Sequence, residues 1–168
     1  MTLCLGVAVV AAAGPAFGAT GPDCLHEALP QSDRSAALRS IERGGRGLPQ
    51  SLAGAIRQCG AANGWNDDAR LEATLLLGLQ LRSDAAYRRT ISAGATPQQL
   101  ATIRQRLADA NFEVTLEGLE GDGDGTPLFQ AIEGAGLDLG ARTTEPLLEW
   151  LVMAHEIRLK TATFVALP

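Results

Sequence analysis

Aromatic side chains are scarce, at 4% of 168 residues, and the chain holds one lysine, two histidines and three cysteines. Each shortage excludes something. The dipeptides His26-Glu27 and His155-Glu156 do not extend to HExxH, and two histidines leave no ligand set for a protein-only zinc site. There is no CxxC, no CxxCH, no GxSxG, no Walker GxxxxGK[ST] and no GxGxxG leading into a helix. No metal or other cofactor is therefore expected. A formal net charge of −5 is wrong for holding nucleic acid by phosphate neutralisation. No apolar run reaches the roughly 18 to 20 residues that span a bilayer, so no stable membrane insertion is expected of the mature chain. With 46% hydrophobic residues the sequence is also too apolar for an extended disordered chain, and one domain is the natural expectation at this length.

What is present begins with an address. Leu3 to Ala13 is apolar and closes on Gly14-Pro15, followed by the small residues of Ala16-Phe17-Gly18-Ala19. This has the h-region and cleavage zone of a secretory signal, too short to cross a membrane as a stable helix. Small side chains at −3 and −1 place cleavage after Gly18, giving a signal over 1–18 and a single helical domain over 19–168. Met1-Thr2 lacks the usual basic residue, which points to a start codon upstream of Met1. A periplasmic or secreted protein is expected. Thirteen arginines against one lysine fit a GC-rich bacterial genome.

Beyond the signal only Cys24 and Cys59 remain, and two cysteines in an exported chain most simply form one disulfide. Cys59 recurs at helical spacing with Leu52 and Ile56 and so faces inward. The bridge would stabilise the fold by roughly 3 to 4 kcal/mol on the chain-entropy argument.

The rest reads as helices with short breaks, an all-α bundle of five to six helices. Asp23 to Leu29 forms a short turn ended by Pro30. Ser32 caps a helix carrying Ala37, Leu38 and Ile41, stopped at Gly44-Gly45. Pro49 suits a first helical position, and that helix runs to Asn63-Gly64. Asn66 or Asp67 opens the strongest segment, with Leu71, Leu75 and Leu79 on one face and Leu76, Leu77 and Leu81 elsewhere; leucines on several sides predict a central, buried helix. Gly78 lies near the Leu71 direction, where a neighbouring helix could approach closely. Thr96-Pro97-Gln98-Gln99 is a capping box ahead of Leu100, Ile103 and Leu107. Phe112 to Leu116 alternates with period two, which leaves open a minor strand pairing of 112–116 with 161–165. Thr126-Pro127 opens a short helix, and the last long helix starts near Glu145-Pro146 and runs to about Lys160.

Few features suggest chemistry. Glu120-Gly-Asp-Gly-Asp-Gly-Thr126 resembles the first half of a calcium loop, with Asp122 and Asp124 as weak cation ligands. The match fails where Pro127 and Ala131 replace the aliphatic residue and the bidentate glutamate, so a flexible acidic turn is the expectation. His155 falls on the apolar arc of the last helix and reads as a satisfied core imidazole. Glu145, Glu149 and Glu156 share a stripe of that helix. A glutamate there acting as general acid would make a small hydrolase of an envelope polymer, but residues four and seven apart more often form a solvated face, with Glu156 pairing Lys160.

Charge is divided unevenly. Residues 1–106 carry 11 basic and 8 acidic side chains, residues 107–168 carry 3 and 11, so a +3 region joins a −8 region. From Leu107 to Ala141 there are eight acids and neither lysine nor arginine. The fields either offset one another inside the molecule or present an acidic surface to a basic partner. These features predict an exported, non-enzymatic protein that works through binding or a structural role in the cell envelope. Its partner would be a protein of unknown identity, with the acidic C-terminal part as contact surface.

Overall fold

The computed structural model describes Gly21, residues 23–45, 48–120 and 124–165, and Leu167. The signal expected over 1–18 lies outside the described residues. Eight helices follow in order among them: α1 (Asp23–Ala28), α2 (Gln31–Glu42), α3 (Leu52–Asn63), α4 (Asp67–Ser92), α5 (Pro97–Asp109), α6 (Leu116–Glu120), α7 (Thr126–Gly134) and α8 (Ala141–Val165). The all-α class holds, and the two helices beyond six are the shortest, α1 and α6.

Local chemistry sets most boundaries. Gly64 takes the left-handed conformation at φ 68°, which a residue without Cβ adopts at little cost, and so ends α3. Asn66 then caps α4, its side-chain oxygen accepting from the Ala69 N–H at 2.8 Å, with Asp67 and Asp68 favourably placed in the positive first turn. Thr96 and Gln99 form the expected capping box, with Pro97 in the first turn of α5.

Helices α4 and α8 form an antiparallel spine. Near one end Lys160 of α8 meets Glu72 of α4 at 3.2 Å; near the other Glu149 of α8 meets Arg82 and Arg89 of α4. Two apolar clusters lie along the spine. The first gathers α1, α2, α3, the first part of α4 and Phe164, with Trp65 packed edge-on to Phe164 at 5.4 Å. The second gathers the end of α4, α5, α7 and the first part of α8 around Leu100, Ile103, Leu147 and Trp150. Cys24 and Cys59 join α1 to α3 in the first cluster, where both are buried.

Several expectations are corrected. No strand occurs among the described residues: 112–115 is an irregular connector, and 161–165 is the end of α8. Phe112 and Val114 do turn inward, as period-two spacing predicts, and pack on the second cluster, but the expected partner 161–165 is helical and so offers no strand edge to pair with. Pro30, not Ser32, precedes α2; the Ser32 hydroxyl instead lies 3.3 Å from the Asp33 carboxylate. Pro49 stands three residues ahead of α3, in the turn that leads into it.

Helix α8 begins a full turn before Pro146. The proline ring removes only the bond to the Arg142 carbonyl, while the Thr143 and Thr144 N–H groups both donate to Gly140 at the helix start. Helix α4 is central, but one side faces solvent. Leu71 and Leu75 are exposed, and no neighbour comes within 4 Å of the place a Gly78 Cβ would occupy. The buried side is that of Ala69, Ala73, Leu76, Leu77 and Leu81.

Candidate functional site

The connector 112–115 lies against α8 where α8 presents His155. Nδ1 of His155 is 2.8 Å from a Glu113 carboxylate oxygen, and Arg158, one turn further on, holds the other oxygen. The His155 side chain is 11% exposed, so an unpaired imidazole there would lose much of its hydration without replacement. These three groups edge a recess of about 180 Å³ between α5 and α8, roofed by the connector. Its walls are apolar: Leu107 and Ala108 of α5, Phe112 and Val114 of the connector, Leu151 and Ala154 of α8. Arg104 of α5 stands at the rim, its guanidinium 5.8 Å from the centre of the Trp150 ring, a cation–π distance. Among the described residues Arg104 forms no ion pair. Glu113 thus serves Arg158 and His155, while the Arg104 guanidinium has no carboxylate partner among the described residues.

The glutamate stripe of α8 is dispersed by its neighbours. Glu149 sits between Arg82 and Arg89 of α4, with the Arg82 guanidinium at 3.6 Å. Glu145 borders a separate hollow with Arg142 and Pro146. Glu156 borders a third recess, of about 340 Å³, with Leu48, Leu75 and Gly78. Lys160 does not pair with Glu156 as expected; it reaches across to Glu72. The interhelical partner wins because an ion pair shielded between α4 and α8 is less screened than one on an open face.

Of the two weak cation-ligand candidates, Asp122 lies outside the described residues. Asp124 is exposed and accepts from the Thr126 N–H at 2.9 Å. Hydrogen bonding from Thr126, its side chain first and its backbone second, holds the Asp124 carboxyl below its usual value. This side chain supports the start of α7. No group of three or more His, Cys, Asp or Glu residues able to hold a metal ion occurs among the described residues.

The acidic stretch forms the outer surface of α5 to α7. Asp109, Glu117, Asp124, Glu133 and Asp138 are all exposed, and none forms an ion pair with a described lysine or arginine. The basic half offsets this field in part: Arg82 and Arg89 meet Glu149 on the spine, Arg104 lies over Trp150, and Arg106 of α5 lies against Gly134 at the end of α7, yet none of the five acids is ion-paired with them. Two large apolar side chains of the same stretch are also exposed, Phe129 of α7 at 62% and Leu116 of α6 at 58%.

No family model, no curated protein and no solved structure matches the chain. No helix among the described residues is long and apolar enough to cross a membrane.

Sequence reasoning singled out His155 but missed Glu113, Arg158 and Arg104 as its companions. Arg158 was open to inspection at i, i+3 from His155. Glu113 carries no such signal, because 42 residues separate it from His155 and only the tertiary path of the connector joins them.

Proposed function

We propose that the protein is an exported, non-enzymatic component of the cell envelope that works by binding a basic polypeptide on the acidic surface of α5 to α7. The observation that carries this reading is the set of five exposed acids on and beside α5 to α7, with Phe129 of α7 and Leu116 of α6 also exposed. Unpaired charges of one sign steer a partner of the opposite sign, and an exposed aromatic ring supplies the apolar contact that holds it. The dispersal of Glu145, Glu149 and Glu156 favours binding over hydrolysis, since acid catalysis at a glycosidic bond needs two carboxyl groups facing one cleft. Export is supported by the signal-like sequence over 1–18 and by the Cys24–Cys59 pair at bonding distance, a bond that persists in oxidising compartments.

The test replaces Phe129 with a photo-crosslinking residue and irradiates the protein in envelope extract. The expected product is an adduct with a polypeptide of net positive charge. It should fade at roughly 1 M salt, where the screening length is about 3 Å, and after conversion of Glu117, Glu133 and Asp138 to their amides. An adduct indifferent to both salt and charge removal overturns the binding reading. A signal–phosphatase fusion that stays inactive in the cytoplasm overturns the export reading separately.

A further inference from the structure

We infer that the recess between α5 and α8 is a binding site for a small monocarboxylate with a ring or branched aliphatic body, its carboxylate on Arg104. The argument begins with size. A recess of about 180 Å³ compares with the roughly 150 Å³ apolar cavity that admits one benzene ring, so it has room for a single ring-sized group. Its walls, Leu107, Phe112, Val114 and Leu151, provide apolar contact for that group.

Charge then decides the head group. Arg158 and His155 already share Glu113, whereas Arg104 has only the Trp150 face beside it among the described residues. A guanidinium presents paired N–H donors that match a carboxylate fork, and stacking on an aromatic face holds it in place for that contact. A monoanion matches the one guanidinium at the rim that has no carboxylate partner among the described residues. A phosphate dianion would bring a second negative charge beside Glu113 and toward the acidic surface of α5 to α7, where repulsion opposes it. A cationic or neutral ligand of the same size leaves Arg104 without a partner.

Glu113 acts here as a positioning residue. By holding both His155 and Arg158 it ties the connector to α8 and so fixes Phe112 and Val114 as walls of the recess. This site is separate from the surface around Phe129, and it stands or falls independently of the partner proposed there.

Phenylacetate, titrated into the full mature chain and followed by methyl NMR, is the probe. The expected result is saturable shifts confined to Leu107, Val114 and Leu151. Phenylacetamide, which keeps the shape and loses the charge, should bind about tenfold more weakly, as should phenylacetate to Arg104→Gln. Arg104 is exposed, so that variant keeps the fold. Ala154→Phe should fill the recess and abolish the shifts, with unchanged far-ultraviolet circular dichroism as its control. Equal binding of acid and amide, indifference to Arg104→Gln, or no shift up to the solubility of phenylacetate each overturns the assignment.

Discussion

Nδ1 of His155 lies 2.8 Å from the Glu113 carboxylate, which joins the last helix to a connector 42 residues earlier in the chain. Removing the carboxylate by Glu113→Ala should destabilise the fold by about 1 kcal/mol, since the pair is partly exposed and its hydrogen bond is charge-assisted. Urea unfolding measures that loss. Native-state hydrogen exchange locates it, with faster exchange at residues 112–116 and little change in α2 and α3. Unchanged exchange over 112–116 would mean that burial of Phe112 and Val114 alone holds the connector.

The same pair marks where sequence reading stops. Asn66, Thr96 with Gln99, and Gly64 act within four residues of themselves, so their roles are visible in the order of the side chains. Cys24 and Cys59 are visible by elimination. The partners of Glu149, Lys160 and His155 are 60, 88 and 42 residues away, and nothing local distinguishes them from solvated charges. Pro146 misled for a related reason. Proline is favourable at a helix start, but it is also tolerated one turn inside when the first turn is anchored elsewhere, as Gly140 anchors this one.

The disulfide fastens α1 to α3 across a sequence separation of 35 residues. The double variant Cys24→Ala/Cys59→Ala should lose roughly 3 kcal/mol, mainly through the greater freedom of its unfolded chain. Thermal melts with and without a thiol reductant check this. The reductant should lower the melting temperature of the parent and leave that of the double variant in place.

On α4, leucines on the buried and the exposed side should respond very differently. Leu77 is 1% exposed, and Leu77→Ala opens a void in the first cluster at a cost of about 2 to 5 kcal/mol. Leu71 is 59% exposed, and Leu71→Ser should alter stability by no more than about 0.5 kcal/mol. Paired urea titrations separate the two. Similar losses for both would show that the Leu71 side of α4 is covered in solution, for instance by a second copy of the chain.

Asp33 governs part of the acid limb of stability. Its carboxylate accepts from the Ser51 N–H at 3.3 Å and so links α2 to the start of α3. The Ser51 side chain foremost, then its backbone N–H and the Ser32 side chain, hold the carboxyl below its usual value of about 3.8 against the opposing effect of desolvation. The folded state therefore favours the ionised form. The stability this supplies is complete above the unfolded value, close to 4, and is lost as pH falls through the lower folded value. Asp33→Asn removes the charge at every pH. The parent should exceed the variant in stability at pH 7, and the gap should narrow as pH drops from about 4 toward 2. Chemical unfolding across that range measures the gap, and a constant gap would show that the Asp33 charge takes no part in joining α2 to α3.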